Sequence, residues 1–312
     1  MLLFTTRNCF LLLRHYMRVI FILHGAKRGV RKLPSELNKF LSSDLQFFYL
    51  FTTNCGSGKQ IAYENADKAD LFVVVGGDGL LNEALNGLMI FKRENPEKPS
   101  PALGLLPHGS GNDFSRSFNW KRKSVEDLFN RLHKKRFVEV DVGTITHANG
   151  HIEYFLNEAS TGISADVVER VSKMPNFLNG NVRFGWAILE CFIRYKKRKI
   201  SLKTANFEWD EKTLLIACSN GRYFGSGIAI APDADLTDDF LNIIVIGNVS
   251  IWDYLKQLSK LRRGIKIIHP QVHYITTKQL QLSGDWKMEK DGEIGGDLPC
   301  TVSIQNKTRL LA

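Results

Sequence analysis

Glycines and a carboxylate follow apolar runs at two places in the sequence. The first segment, from Gly76 to Gly79, reads Gly-Gly-Asp-Gly, and the second, from Gly109 to Asp113, reads Gly-Ser-Gly-Asn-Asp. Without Cβ atoms, glycines let a phosphate approach main-chain N–H groups, and a following helix N-terminus adds partial positive charge. Asp78 would repel that phosphate unless it holds Mg²⁺, which binds carboxylate and phosphate oxygens together. The two segments predict a metal–polyphosphate site; a tight turn with Asp78 as helix N-cap is the alternative for the first.

A third segment, Asp291-Gly292-Glu293, places two carboxylates around a glycine. When a phosphoryl group is transferred to an alcohol, the alcohol loses its proton as the new P–O bond forms. A positioned carboxylate can accept that proton as a general base. Glu293 and Asp291 are therefore the candidate catalytic residues, although the tripeptide alone also fits a solvated hairpin turn.

The elements that must position the first two segments alternate between strand and helix. Short, continuous apolar runs predict four strands of a parallel sheet, buried on both faces, at 19–23, 47–50, 71–75 and 103–106. Helical patterns follow these strands at 30–41, 59–69, 80–90 and 124–133. This alternation predicts right-handed βαβ units in a three-layer α/β domain with a mostly parallel sheet.

After residue 140 the pattern changes to extended segments, which predict a C-terminal antiparallel β-sandwich domain. These segments lie at 152–156, 200–205, 213–219, 241–246, 272–277, 279–283 and 300–305. Two segments between them have helical patterns, at 183–195 and 252–262. The predicted domains are 17–140 and 141–305, with 306–312 returning to the first domain and an active-site cleft between the two.

The composition excludes collagen-like, low-complexity and small disulfide-stapled proteins, since 44% of the 312 residues are hydrophobic and 24% are charged. The 42 Lys and Arg residues exceed the 32 Asp and Glu residues, and the net charge of +10 favours an anionic partner: nucleic acid, an acidic membrane surface or a phosphorylated ligand. Five cysteines without C-x-x-C spacing predict neither a disulfide framework nor a zinc site, so a cytoplasmic location fits best.

The first 35 residues contain seven basic residues and no acidic one. Arg7, Arg14 and Arg18 interrupt the apolar stretch, and no small-residue cleavage site follows it. The sequence therefore predicts neither a signal peptide nor a transmembrane helix. Residues 1–16 are interpreted as an extension ahead of the first strand or as the product of an upstream start.

In this order, the three segments resemble the soluble diacylglycerol kinase and sphingosine kinase catalytic-domain family, particularly its compact bacterial lipid kinases. The similarity begins near Arg18 and includes Asp141-Val142-Gly143 and the segment 220–227. It implies an N-terminal nucleotide-binding α/β domain and a C-terminal β-sandwich. It also implies ATP as phosphoryl donor, Mg²⁺ as cofactor, with Asp78 and Asp113 at the catalytic Mg²⁺, and Glu293 as general base.

The resemblance also implies which residues contact ATP. The residue after the second strand that is implied to contact ATP is Thr53, with Thr52 as the alternative. The full set is His24, Gly25, Thr53, Gly76, Gly77, Asp78, Gly79, Leu80, Leu81, Asn82, Gly109, Ser110, Gly111, Asn112 and Asp113. A structural cation site is implied in the second domain, where Asp238 supplies a carboxylate and Asp235 and Phe240 supply backbone carbonyls; a solvated acidic turn is the alternative.

Two segments depart from the family pattern. The usual Asn-Pro-x-Ser-Gly after the first strand is replaced by residues 24–29, where Gly25, Lys27 and Arg28 are the remaining phosphate-binding candidates. Leu80 stands where the family usually has Thr, which removes a hydroxyl near the phosphates. In the acidic turn, Asp239 and Asn242 replace the usual Gly and Asp.

Basic residues cluster at 121–123, 133–136, 194–199 and 262–263. Each cluster alone fits a solvated face, but for a kinase with a lipid substrate they predict peripheral binding to an anionic membrane. The apolar segments 174–180 and 184–189 are candidate acyl-chain contacts, with ordinary core packing as the alternative.

The leading hypothesis is ATP- and Mg²⁺-dependent phosphorylation of a lipid hydroxyl, on diacylglycerol or a related lipid. An NAD kinase-like enzyme is one alternative, because that family shares the Gly-Gly-Asp-Gly turn and Asn157-Glu158 resembles its Asn-Glu pair. A noncatalytic, nucleotide-responsive lipid-binding protein is another. No nucleic-acid-binding motif is evident, so nucleic acid is not an expected partner. The sequence does not determine the oligomeric state and leaves a homodimer open.

Overall fold

The structure is a computed structural model that describes residues 16–27, 29–40, 44–175 and 180–312. Several predictions lie partly or wholly outside these residues. They are the interpretation of residues 1–15, the phosphate contact of Arg28, the end of the first predicted helix at Leu41 and the acyl-chain contact of residues 176–179.

Four parallel strands form the N-terminal part of the first sheet, in the order β2-β1-β3-β4. Their side chains come from the four predicted apolar runs, and β3 and β4 are buried along their whole length because helices cover both faces. The strands are β1 (Met17–Leu23), β2 (Leu45–Phe51), β3 (Leu71–Gly76) and β4 (Ala102–Pro107). The predicted parallel α/β architecture is confirmed.

Five helices accompany these strands: α1 (Leu33–Leu37), α2 (Ser57–Glu64), α3 (Asp78–Glu94), α4 (Asp113–Arg116) and α5 (Val125–Lys134). The predicted helix at 30–41 is wrong as a single element: α1 is flanked by 3₁₀ turns at Val30–Lys32 and Asn38–Phe40. Pro34 at the start of α1 lacks an N–H and breaks the ladder there. The helix predicted at 59–69 ends at Glu64, before a 3₁₀ turn at Ala66–Lys68.

The first sheet continues into the second half of the chain. Strand β16 (Cys300–Leu311) lies parallel to β4 at Leu310 and antiparallel to the long strand β5 (Phe137–His147). Three further strands extend the sheet from β16, namely β13 (Gln279–Ser283), β8 (Arg198–Lys203) and β9 (Glu208–Thr213), and β6 (Ile152–Phe155) pairs with β5. Strand β5 crosses residue 140 without a break, so the domain boundary between residues 140 and 141 stays a prediction.

A second, antiparallel sheet packs against the C-terminal strands of the first. Its order is β12-β11-β10-β7-β14-β15, with β7 (Glu158–Gly162), β10 (Leu215–Ser219), β11 (Leu241–Ile246), β12 (Val272–Thr277), β14 (Lys287–Lys290) and β15 (Glu293–Asp297). Ile145, Leu282 and Val302 of the first sheet share a buried core with Ile216 and Ile243 of the second. This arrangement confirms the predicted C-terminal β-sandwich.

Three helices cover the other face of the second sheet: α6 (Ile163–Ser172), α7 (Gly180–Arg194) and α8 (Ile251–Arg262). Helix α8 begins with a capping box between Ser250 and Asp253. Helix α6 was not predicted, because Ile163 and Val167, Val168 and Val171 are β-branched residues of modest helix propensity. In the described part of the chain, none of the helices combines the length and apolar character needed to cross a bilayer.

Candidate active site

The two glycine segments converge at the carboxyl ends of β3 and β4. A Cβ atom on Gly77 would lie 2.9 Å from the Gly109 Cα, and a Cβ on Gly109 would lie 2.4 Å from the Gly77 Cα. Both distances are shorter than atoms tolerate, so only glycine permits the two backbones to meet. The predicted neighbourhood of the two loops is thereby confirmed.

Asp78 connects the two loops. Its carboxylate accepts hydrogen bonds from the N–H groups of Asp113, at 3.0 Å, and Phe114, at 3.2 Å, at the start of α4. Asp113 in turn accepts a hydrogen bond from the Ser226 N–H at 2.8 Å, which joins this loop to the C-terminal half of the chain. The half-exposed Arg116 guanidinium lies 3.3 Å from the other Asp113 oxygen.

Asp78 and Asp113 also share a space above Gly111. A Cβ on Gly111 would lie 3.4 Å from Asp78 Oδ2 and 3.5 Å from Asp113 Oδ2. Burial raises the pKa of both carboxyls, and the Asp113 charge adds to the rise at Asp78. Two oxygens of like charge in a glycine-lined space form a donor set that fits a hard dication.

Glu293 enters this site from the other half of the chain. It is the first residue of β15 and follows a turn in which Asp291 and Gly292 have φ angles of 47° and 86°. A Cβ on Gly79 would lie 2.9 Å from Glu293 Oε1, so the carboxyl group sits against the first turn of α3. Burial raises the pKa of Glu293 to about 7, and the nearby Glu83 carboxylate contributes to the rise.

Asp291 has a different environment from Glu293. Its two oxygens accept four hydrogen bonds, each between 2.9 and 3.0 Å, from Asn82 Nδ2 and from the N–H groups of Leu156, Asn157 and Glu158. These donors fill the acceptor positions of a carboxylate. The geometry contradicts a catalytic role for Asp291: it positions the turn that carries Glu293.

Glu83 of α3 also contributes to the site, although the sequence analysis did not predict it as a site residue. Its carboxylate accepts hydrogen bonds from the N–H groups of Gly56 and Gly58, both at 2.8 Å, where α2 begins. This contact holds the loop after β2 against α3. Thr52 and Thr53 both line the cavity described below, and Cys55 brings its thiol close to the carboxylates of Glu83 and Glu293.

Five residues predicted to contact ATP lie behind the cavity surface. Gly25 donates to Thr52 Oγ1, Gly76 is covered by the Leu80 side chain, and Leu81 is buried in the core. Asn82 donates to Asp291 and to the Tyr154 carbonyl, and Asn112 closes its loop by exchanging hydrogen bonds with Gly109. The structure therefore gives these residues a part in supporting the loops, and their contact with nucleotide stays a prediction.

The other residues that were predicted to bind ATP or to act in catalysis line one cavity of about 580 Å³. They are His24, Thr53, Gly77, Asp78, Gly79, Leu80, Gly109, Ser110, Gly111, Asp113, Asp291 and Glu293. The Lys27 ammonium also lines this end, where it donates to the His108 carbonyl at 2.7 Å. Burial lowers the pKa of Lys27, and the Arg122 charge lowers it further.

The cavity continues from this polar end into an apolar compartment between the second sheet and helices α6, α7 and α8. Its walls include Ile163, Val167, Phe184, Ile188, Phe192 and Leu261 from the helices, and Leu215, Ile246 and Val272 from the sheet. The sequence analysis identified only part of this wall, because α6 was missed. The compartment matches the chemistry of an acyl chain rather than that of a polar substrate.

The acidic turn predicted to hold a structural cation has a different arrangement. Asp235 accepts hydrogen bonds from Thr237, and Asp238 accepts one from the Phe240 N–H at 3.0 Å. The buried Asp141 carboxylate accepts from the Asp239 N–H, and the Lys307 ammonium lies 3.3 Å from Asp141 Oδ1 and 2.9 Å from Asp239 Oδ1. The Lys307 ammonium thus compensates the charges of Asp141 and Asp239, whereas the structural cation site predicted at Asp235, Asp238 and Phe240 stays a prediction.

Two family models match the chain. One, described as the diacylglycerol kinase catalytic domain, matches residues 17–145. The other, described as the YegS C-terminal NAD kinase beta sandwich-like domain, matches residues 157–310. The chain belongs to the bacterial lipid kinase family.

Members of this family are similar to the chain over most of its length. A diacylglycerol kinase of Staphylococcus saprophyticus is 27% identical, with 88% of this chain and 87% of the relative covered. A protein of Pectobacterium atrosepticum named "Probable lipid kinase YegS-like" is 27% identical over 73% of each chain. The crystal structure of a diacylglycerol kinase from Bacillus anthracis matches with a TM-score of 0.67 and 19% identity, covering 95% of this chain and 97% of that one, and supports the same fold.

Proposed function

We propose that this lipid kinase family member transfers the γ-phosphoryl group of ATP to a hydroxyl group of a membrane lipid. One observation carries the proposal: a single cavity joins the two glycine loops and Glu293 to the apolar compartment. A phosphate-binding end and an acyl-chain-binding end, with a carboxyl group between them, are what phosphorylation of an amphiphilic alcohol requires.

The polar end supplies the groups that a triphosphate needs. Backbone N–H groups of the two glycine loops and the N-terminus of α3 offer positive electrostatic potential, and the Lys27 ammonium adds a full charge. Asp78 and Asp113 would hold the Mg²⁺ above Gly111. When bound, Mg²⁺ neutralises phosphate charge as the γ-phosphoryl group moves.

Glu293 accepts the proton of the acceptor hydroxyl. As the lipid oxygen forms its bond to the γ-phosphorus, the bond from that phosphorus to the β–γ bridging oxygen breaks and ADP leaves. The proton moves to the Glu293 carboxylate, whose pKa of about 7 matches a general base that works near neutral pH. Asp291 keeps Glu293 in place through the turn between them.

The apolar compartment favours a lipid acceptor over NAD. Diacylglycerol is the first candidate, since several relatives are named diacylglycerol kinase. Asn157 and Glu158 also line the cavity, and this observation keeps NAD in the substrate test.

The experiment measures transfer of radiolabel from γ-labelled ATP, with and without Mg²⁺, to diacylglycerol, a sphingoid base, phosphatidylglycerol and NAD. We expect Mg²⁺-dependent labelling of one lipid and a loss of about 10²- to 10⁴-fold in Glu293→Gln, as removal of a general base predicts. Glu208→Gln, the same change at an exposed residue of β9, should transfer at the wild-type rate.

Three results would contradict this proposal. If the folded protein labels none of the lipids, it is not a lipid kinase for these acceptors, and vesicle binding without turnover would favour the noncatalytic alternative. Labelling of NAD alone would favour the NAD kinase-like alternative. Equal rates for Glu293→Gln and the wild type would remove Glu293 as the base.

A further inference from the structure

Helices α7 and α8 form the outer wall of the apolar compartment. Phe184, Ile188 and Phe192 of α7 line the cavity, as do Tyr254 and Leu261 of α8. The ring centroids of Phe192 and Tyr254 are 5.2 Å apart, so the two helices lie side by side. The inner faces of both helices thus line the cavity and pack against the core.

The outer face of α7 is also apolar. Val182, Trp186, Leu189 and Ile193 follow one another at steps of four, three and four residues, which places them on one stripe of the helix. Their side chains are 59%, 62%, 44% and 76% exposed. An amphipathic helix of a globular protein has polar residues on the side opposite its core face, and this helix does not.

Helix α8 and the segment after it continue this surface. Trp252 and Leu255 are 69% and 45% exposed, and Ile265 and Ile268 beyond the helix are 45% and 98% exposed. Of the 15 exposed large hydrophobic side chains among the described residues, eight lie within 182–193 and 252–268. We call these eight residues the outer apolar surface; such a concentration is typical of an interaction site.

The charges around the outer apolar surface are mostly positive. Residues 182–199 and 252–268 contain eleven Lys and Arg residues but two acidic residues, Asp253 and Glu190. Exposed Lys256, Lys260 and Arg263 lie at steps of four and three beside Trp252 and Leu255. Exposed aromatic and aliphatic side chains bordered by basic residues match the boundary between headgroups and acyl chains of an anionic bilayer.

We infer that the outer apolar surface docks this protein on an anionic membrane, with the outer wall of the acyl-chain compartment against the bilayer. The inference rests on the proposed function in one respect, because a lipid acceptor must leave a membrane to enter the cavity. Docking through α7 and α8 brings that compartment next to its source of substrate. A nucleic acid would match the basic residues alone and would leave the eight apolar side chains in water.

The test is flotation of the full chain with vesicles of phosphatidylcholine alone or of phosphatidylcholine with phosphatidylglycerol. We expect binding to the anionic vesicles. A Trp186→Ser/Ile193→Ser double variant should bind at least about tenfold more weakly, since two apolar side chains no longer enter the bilayer. Phe48→Ser, at a residue that is 43% exposed on β2, is the matched control and should bind as the wild type does.

Two further measurements test whether a change in vesicle binding has another cause. The melting temperatures of both serine variants should equal that of the wild type, because the replaced side chains are exposed. A Lys256→Glu/Lys260→Glu variant should lose its preference for anionic vesicles, and added salt should weaken wild-type binding in the same direction.

The vesicle experiments would overturn the inference if the wild type binds neither vesicle type, if the serine double variant binds like the wild type, or if Phe48→Ser loses binding. Preferential binding of RNA through the same lysines would also overturn it. A wild-type dimer in analytical ultracentrifugation that becomes a monomer in Trp186→Ser/Ile193→Ser would make this surface a contact between two copies, which also contradicts the inference.

The failure of this inference can be distinguished from the failure of the proposed function. Glu293→Gln should bind vesicles normally while its rate of phosphate transfer falls by about 10²- to 10⁴-fold. If the wild type binds vesicles through α7 and α8 but phosphorylates no acceptor, the membrane surface stands and the kinase assignment fails. If it phosphorylates a water-soluble, short-chain acceptor but binds no vesicle, the kinase assignment stands and the membrane surface fails.

Discussion

Asp78 and Asp113 meet above Gly111 with backbone N–H groups as their main partners, whereas Asp141 and Asp239 meet around the ammonium group of Lys307. The sequence predicted a cation site in the first region and, beside the second, a structural cation site at Asp235, Asp238 and Phe240. Burial raises the pKa values of Asp78, Asp113 and Asp141, and the Asp113 charge adds to the rise at Asp78. In the second region, Lys307 lies between the two carboxylates.

The two regions therefore differ in the charge that faces their carboxylates: a lysine ammonium lies between the pair in the second region, and the pair in the first region is the better candidate for a metal site. Lys307 is about 70 residues from Asp239 in the chain, and strand β16 places its ammonium against the acidic turn. At the glycine loops, Arg116 reaches Asp113 from a half-exposed position, while the Asp78 carboxylate accepts hydrogen bonds from the backbone N–H groups of Asp113 and Phe114.

Among the variants that test this comparison, Asp78→Asn is expected to have the largest effect on phosphate transfer. The variant should lose Mg²⁺-dependent transfer by about 10²- to 10³-fold, because it removes a carboxylate that would hold Mg²⁺ at the phosphates. Steady-state assays at varied Mg²⁺ concentration measure the loss, and circular dichroism checks the fold. Asp239→Asn, the same change in the acidic turn, should leave transfer intact; equal losses in both variants would contradict the distinction between the regions.

Asp291→Asn tests whether the Asp291 carboxylate has a structural role rather than a catalytic one. An amide presents an NH₂ group to backbone donors, so we expect the free energy of unfolding to fall by about 1–3 kcal/mol. Urea denaturation measures the change, and Asp285→Asn at an exposed ion pair should cost less than about 1 kcal/mol. Unchanged stability combined with lost transfer would restore the predicted catalytic role of Asp291.

The pH dependence of transfer tests Glu293. A general base must be deprotonated, so the rate should fall about tenfold per pH unit below a pKa of about 7, and Glu293→Gln should lack this dependence. Stability changes in the opposite direction. The folded-state pKa lies above the ordinary value of 4.5, so the contribution of this carboxyl group to stability is complete below about pH 4.5 and is lost as the pH rises through about 7.

Glu293→Gln should therefore have a higher melting temperature than the wild type above pH 7 and approach it as the pH falls. Differential scanning calorimetry across this range measures the difference. A constant difference between the two proteins at all pH values would show that Glu293 titrates near its ordinary pKa.

Lys307→Met should lower the melting temperature, because it removes the positive charge between Asp141 and Asp239. We expect added Mg²⁺ to raise the melting temperature of this variant and to leave that of the nucleotide-free wild type unchanged. Lys203→Met, at an exposed ion pair of β8, is the control. A wild type and an Asp78→Asn variant that both melt lower after chelation would show that the turn does hold a structural cation.

The smallest effect is expected at Cys55, beside Glu293. The negative charge of Glu293 raises the pKa of the Cys55 thiol, so Glu293→Gln should increase the rate of alkylation by iodoacetamide a few-fold at neutral pH. Mass spectrometry of the Cys55 peptide measures the rate. Equal rates would place the two groups farther apart than the structure does.

Local patterns predicted the elements that depend on neighbouring residues. The apolar runs of β1 to β4 predicted a buried parallel sheet, and the structure brings together the glycine segments that follow β3 and β4. Strand β9 was missed because four of its six residues are charged, as an edge strand allows. Strands β14 and β15 were missed because the Asp291-Gly292-Glu293 turn separates two short segments without apolar alternation.

The sequence by itself determined the residue types and the order of the site: two glycine loops with carboxylates, followed by a late acidic turn. Only the tertiary structure decided which carboxyl group supports the turn and which one faces the cavity, because this depends on hydrogen-bond donors from distant segments of the chain. Asp291 is bonded to residues 82 and 156–158, while Glu293, two residues away, faces Gly79 and the cavity. Hydrogen-bond partners and burial act through space, and the chain sequence alone does not specify them.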